Sequence, residues 1–261
     1  MSPNDRPIGR ARESELLDFL DAHPDKPLVY VSPLILERRK RLLRVARQMI
    51  AEKGIENFSV RQLCQRAQVA QRTLYNAFHN KDRMIALAIR EAFDDFNDHV
   101  RYRTDENTLR GMLDRTIAIN RRNFKVRNYT KAIVSIYFGH GTPRDVWETL
   151  RDMSVAGGRA WLDAMEERGE LQSWISPDHF VTTMANLQYA TINNWTLGRL
   201  SDEEYIPAMV ERMLLLIIGA VRSPVREEAQ EYLMDIRRTG KEPRFPHATW
   251  GPPVPTGDGE A

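Results

Sequence analysis

The chain has 261 residues, 42% of them hydrophobic and 28% charged, with a formal net charge of +2. No apolar run approaches the ~18 residues that a membrane span needs, and the first residues lack the apolar stretch of a secretory signal. A single cysteine, Cys64, rules out an internal disulfide and any cysteine-based zinc cluster. The expectation is a cytoplasmic protein with material for one large or two small domains.

Strand signals are few, and nearly everything else has helical spacing, so the chain reads as all-α. Residues 1–33 are polar and proline-bearing and read as a flexible arm. Within it 15–20 has the pattern of one short helix, Leu28-Val29-Tyr30-Val31 is a short, isolated strand signal, and Arg6, Arg10 and Arg12 could touch phosphate. Residues 34–82 form the next unit. A first helix over 34–53 places Leu42, Ala46, Met49 and Ile50 on one face, and Gly54 ends it. A second opens on Ser59 with Gln62 three residues on, the pattern of a capping box. Ala67-Gln68-Val69 is a turn, a third helix covers 70–78, and Asn80 caps a fourth that continues to about 102.

Residues 83–222 read as a larger helical body. Its expected helices cover 107–125, 129–139, 142–168, 176–195 and 201–221. Thr142-Pro143-Arg144-Asp145, Ser176-Pro177-Asp178 and Ser201-Asp202-Glu203-Glu204 are start signals, and Gly198 is a stop. In 223–261 an amphipathic helix carries Val225, Ala229, Tyr232, Leu233 and Ile236 on one side. It leads into a proline-rich tail from residue 239 that is expected to be disordered.

Between residues 37 and 83 there are twelve basic side chains and four acidic ones, a net +8, so the remainder of the chain carries −6. A short helix, a tight turn and a second short helix make the smallest unit that can present a helix end to a DNA major groove. At 100° per residue, Leu74 and Phe78 share the inward side of the third helix. Asn76 lies opposite, flanked by Arg72 and Thr73. Arg suits guanine edges, Asn suits adenine, and Thr suits several partners including the thymine methyl. Tyr75, at the edge, is better placed for a phosphate. Lys81 lies where a helix start also attracts an anion.

The run Thr73-Leu74-Tyr75, Phe78 and Lys81-Asp82, together with Ala46, Gly54, Phe58, Ser59, Val60, Leu63, Ala67, Val69 and Met84, resembles the DNA-binding domain of the tetracycline-repressor (TetR) family. The resemblance implies an all-α homodimer with an N-terminal three-helix head on operator DNA and a ligand-binding body. It places Arg61, Gln71, Arg72, Thr73, Tyr75, Asn76 and Lys81 at DNA-contacting positions. It also implies that the last two long helices, here 177–195 and 205–221, pair across the dimer. The sequence departs from the family in the turn, where the usual glycine is Gln68, and at the start of the third helix, where the usual serine cap is Ala70. Cys64 takes the place of a small buried residue and reads as a packed thiol.

The body is rich in aromatic and methionine side chains, most of which serve as core. The functional reading is an apolar cavity for a small organic effector, with Tyr137, His140, Trp147, Trp161, Met165 and Asn193 as candidate contacts. A stripe of Met209, Met213, Leu216 and Ala220 suits a partner helix. The nine-residue run 213–221 is apolar on more than one face and needs cover on several sides. There is no glycine-rich phosphate loop, no His-Glu-x-x-His and no Gly-x-Ser-x-Gly, so neither an enzyme, nor a cofactor, nor a metal is expected. The reading is a ligand-responsive regulator, most simply a repressor released from a palindromic operator by an apolar effector. A helical protein-interaction adaptor or an enzyme of unrecognised type is the alternative.

Overall fold

The computed structural model describes residues 33–246 and 248–251; the helix and strand signals within the N-terminal arm lie outside the described residues. The chain divides into two compact units whose border falls between Ala88 and Ile89. Apart from one two-stranded ribbon and one isolated bridge, its regular structure among the described residues is helical.

The N-terminal unit holds α1 (Pro33–Lys53), α2 (Val60–Ala67), α3 (Gln71–Phe78) and the first part of α4 (Lys81–His99). The four apolar positions expected to line α1 are all buried, at 0–1% exposure. Gly54 closes α1 at φ +72, with its N–H on the Ile50 carbonyl at 3.0 Å. A glycine takes that left-handed conformation without the Cβ penalty. Ser59 caps α2, its hydroxyl accepting from the Gln62 amide at 3.4 Å. Only this half of the expected capping box is made, because the Gln62 side-chain oxygen accepts from Lys53 Nζ at 3.3 Å instead. α1 packs on α2, and α2 on α3.

The larger unit contains α5 (Leu109–Lys125), α6 (Arg127–Tyr137), α7 (Arg144–Val155), α8 (Arg159–Glu167), α9 (Pro177–Thr196), α10 (Asp202–Ala220) and α11 (Val225–Thr239). Three helix starts are capped by side chains, two of them, at Ser176 and Ser201, where the sequence signals stand. Thr108 accepts from the Gly111 amide, Ser176 from the His179 amide, and Ser201 with Glu204 forms a complete capping box. Gly198, at φ +73, follows α9. Thr142 does not cap α7. Its hydroxyl donates to the Ile136 carbonyl, and Pro143 takes the N-cap position without a side-chain bond.

The single helix expected over 142–168 is broken by a 3-10 turn, Ala156–Gly158. Adjacent glycines weaken a helix by roughly 1 kcal/mol each, and here they also bring the backbone onto α5. A Cβ on Gly158 would stand 2.7 Å from Met112 Cγ, and one on Gly157 3.1 Å from Ile119 Cδ1.

Three helices of the body meet around Trp195 and Tyr205. Their rings stack at 4.4 Å, and Phe124 stands edge-on to both, at 5.3 and 5.7 Å. The polar edges are satisfied. Trp195 Nε1 donates to Asp202 at 2.7 Å, and the buried Tyr205 hydroxyl donates to Asn120 and accepts from Asn123 at 3.0 Å. Burial at such a site is tolerated because the indole N–H and phenol O–H find partners.

α11 buries Val225, Ala229, Leu233 and Ile236 and packs against α10; Tyr232 is half-buried. The tail beyond it contains a strand where no regular structure was expected. β1 (Val100–Arg101) pairs antiparallel with β2 (Thr249–Trp250), Val100 opposite Trp250 and Arg101 opposite Thr249. α4 accordingly stops at His99 rather than continuing to about 102. No helix among the described residues is long and apolar enough to cross a membrane.

Candidate nucleic-acid interface and effector region

The turn between α2 and α3 depends on Gln68, which is left-handed at φ 53, ψ 47. Its N–H meets the Gln65 carbonyl at 3.2 Å, and the Val69 N–H meets that of Cys64 at 3.0 Å. A residue with a Cβ holds this conformation at a cost of roughly 1–2 kcal/mol, which accounts for the glycine that the resembled family favours here. Ala70 is the N-cap of α3 and makes no side-chain cap bond. A second positive φ, at His79 (φ 59), separates α3 from α4; no sequence signal marked it.

Leu74 and Phe78 are buried at 0% and 2%, and the Arg39 guanidinium lies over the Phe78 ring at 5.3 Å. With that side of α3 turned inward, Gln71, Arg72, Tyr75 and Asn76 are exposed and Thr73 is half-buried. Arg61 is exposed near the start of α2. Arg61 and Arg72 have no carboxylate partner among the described residues, whereas Arg66 is bridged to Glu52 at 2.8 Å. Lys81, half-buried in the first turn of α4, holds its ammonium over the Phe58 ring at 5.9 Å. Asn80 caps that helix through the Arg83 amide at 2.8 Å. Cys64 is 4% exposed, and burial pushes its thiol above the ordinary range, as a packed core thiol should be.

Of the six candidate effector contacts, the fold joins two. Tyr137 on α6 stacks against Trp147 on α7 at 5.6 Å, and Tyr189 of α9 lies against Tyr137 at 4.3 Å. The Tyr137 hydroxyl donates to Asn186 at 2.6 Å, and burial pushes it up to about 12. Trp161 is fully buried, and its Nε1–H meets no acceptor among the described residues. Met165 lines a small cavity of about 150 Å³ with Leu162, Leu171, Phe180 and Val181. Asn193 is half-buried, and His140 is exposed in the turn after α6.

A larger groove, about 390 Å³, contains none of the six and is lined by Trp174, Ile175, His179, Phe180, Thr183 and Leu215 among others. Trp174 and Leu215 are 71% and 48% exposed. The supposed partner-facing stripe on α10 points the other way. Met209, Met213 and Ala220 are buried within their own subunit, and only Leu216 is half-buried. An all-round apolar helix offers several stripes, and periodicity does not say which one a partner would take. The signal that could have found the groove is a bare tryptophan in the connection before Pro177.

A short helix, a left-handed turn and a second helix with an outward basic and amide face define the helix-turn-helix class of DNA-binding proteins. Residues 42–88 match the sequence model of the bacterial regulatory proteins of the tetR family. Among solved structures, a TetR transcriptional regulator from Rhodococcus sp. RHA1 is similar in fold. Its TM-score is 0.53 at 17% identity, over 72% of this chain and 99% of its own. RolR in complex with resorcinol is similar with a TM-score of 0.51 at 21% identity, over 76% of this chain and 93% of its own. No curated protein matches the chain.

The missing cap gives a direct test. Ala70→Ser is expected to stabilise the N-terminal unit by about 1 kcal/mol, because the new hydroxyl can accept from an orphan amide in the first turn of α3. Urea unfolding followed by circular dichroism measures it. An unchanged midpoint would mean that the α3 start does not accept a side-chain cap.

Proposed function

We propose that the chain is a ligand-responsive transcriptional repressor that binds a palindromic operator as a homodimer in the cytoplasm and leaves it when a small apolar effector binds the body. The observation that carries this reading is the outward face of α3. Leu74 and Phe78 are shut in the core, and Arg72, Thr73 and Asn76 are thereby turned out, with no carboxylate partner for Arg72 among the described residues. In this reading Arg72, Thr73 and Asn76 read base edges. Tyr75 and Lys81 hold phosphates, and Arg61 and Gln71 complete the contact.

Two substitutions separate these roles. Arg72→Ala is expected to weaken operator binding by about 1–3 kcal/mol and relax preference at one base pair. Lys81→Ala is expected to weaken all duplexes alike and to lower the slope of log affinity against log salt by about one unit. Titrations of an operator and a random duplex over a salt series measure both. Equal losses on the two duplexes for Arg72→Ala would remove it from the base readers.

The dimer is assigned to the groove formed by the segment before α9, by α9 and by α10, with a second copy of the chain as its occupant. A large exposed indole beside an exposed leucine and an accessible Gly219 is a surface that water serves poorly and a like surface serves well. Trp174→Glu combined with Leu215→Glu is expected to give folded monomer at micromolar concentration. Light scattering reports the mass, and an unaltered dimer would place the interface elsewhere. Met213→Glu is not a usable probe, since Met213 is 0% exposed and the change would disrupt the fold itself.

The effector is assigned to the aromatic cluster of Tyr137, Trp147 and Tyr189, with His140 and Asn193 as polar contacts and Trp161 and Met165 deeper in the body. To move the protein from 99% DNA-competent to 1%, an effector must prefer the incompetent arrangement by about 5.5 kcal/mol. Neutral aromatic compounds are expected both to quench tryptophan fluorescence and to release operator DNA. A tight quencher that left DNA affinity unchanged would fail as an inducer by linkage. Release by strongly charged compounds alone would refute the apolar site.

A further inference from the structure

The segment after α11 crosses the body and ends on α4. Gly240, at φ +67, turns the chain back. Glu242 then bridges to Arg121 at 2.9 Å. Phe245 packs beside Tyr232 at 6.1 Å, with the Arg110 guanidinium over its ring at 5.7 Å. Thr249 and Trp250 pair with Val100 and Arg101. The Trp250 indole stacks on the His99 imidazole, 5.0 Å between centroids and 10° between planes, and leans on Phe96 at 6.0 Å. The Gly251 N–H donates to the His99 carbonyl at 2.9 Å.

That last bond supplies part of what α4 lacks; the Arg101 guanidinium donates to the neighbouring Asp98 carbonyl at 2.7 Å. A helix ends with four carbonyls that have no partner within it. The residues after His99 are Val100 and Arg101, with no glycine to close the helix locally, and the sequence pattern alone runs the helix on to about 102. The amide of a residue some 150 positions away satisfies the His99 carbonyl, and the pairing with β2 draws Val100 and Arg101 into an extended conformation. A ribbon of two residue pairs is too short to persist by itself. Trp250 is also 66% exposed and so is held by one face only.

We infer that residues 240–246 and 248–251 form a latch on the C-terminal end of α4. When it is closed, α4 ends at His99; when it opens, the end of α4 is released to fray or to extend into Val100–Arg101. Because α4 is one helix whose first part belongs to the N-terminal unit, the latch bears on operator binding. An open latch adds conformations that do not bind, and the apparent affinity falls by the competent fraction. This coupling rests on the regulator reading above. The two solved structures described above are covered over 93–99% of their own length but match only 72–76% of this chain, so this chain carries segments that they do not.

The test uses the full chain with Trp250→Ala or Gly251→Pro; the second removes the amide that meets His99 and nothing from the core. Hydrogen exchange of residues 98–101 is expected to quicken at least tenfold in both variants. Operator affinity is expected to fall at least threefold, with random-duplex affinity unchanged within twofold. Unchanged exchange would overturn the latch. Faster exchange with operator affinity within twofold of wild type would overturn its bearing on DNA. A wild-type chain with no sequence preference would refute the regulator reading and the coupling together, while the exchange result would still decide whether the latch exists.

Discussion

Leu74 and Phe78 lie one turn apart on α3, and both are shut in the core of the N-terminal unit. An eight-residue helix has one rotational degree of freedom that matters, and burying two side chains on one side uses it. Arg72, Thr73 and Asn76 are outward because those two are inward. The left-handed backbone at Gln68 is the other half of the constraint, since it sets the direction in which α3 leaves α2. The domain thus accepts backbone strain in its turn and an uncapped helix start at Ala70. Buried α1 side chains such as Met49 and Ile50, both fully covered, offset those costs.

The body uses a different economy. Many of its buried polar atoms are paired. Trp195 donates to Asp202, Tyr205 is tied to Asn120 and Asn123, and Tyr189 donates to the Leu150 carbonyl at 2.6 Å. The cross-links join α5, α7, α9 and α10 and fix their register beyond what apolar packing specifies. Trp161 and Tyr102 depart from the rule. The indole N–H and the phenol O–H are covered and have no partner among the described residues, a condition that costs about 1–3 kcal/mol for each.

Local chemistry made much of this legible in the sequence. Ser59, Ser176 and Ser201 each accept from the amide three residues on, and Gly54 and Gly198 take the left-handed turns that their positions after apolar runs suggested. The rotation of α3 followed from two apolar residues four apart. What stayed hidden depends on distant parts of the chain. Gln62 looked like the second half of a capping box, but Lys53 on the preceding helix claims its oxygen. The break at Ala156–Gly158 reflects the approach of α5, which two glycines permit and do not announce. The end of α4 is set by Trp250 and Gly251, far beyond any window of helical periodicity. The Met209 and Met213 stripe was visible, yet a helix apolar all round does not label which face is internal. Trp174 carries no periodicity at all, and only the folded chain puts it beside Leu215.

The chain's only thiol belongs to the DNA-reading unit. Cys64 is covered by the packing that orients α3, and burial keeps it in the protonated, unreactive form. Native protein is therefore a poor target for thiol reagents, and attack requires the core beneath α3 to come apart. The rate of modification counts openings of that one unit and is blind to the body, so the unlabelled chain carries its own clock for the breathing of its reading head.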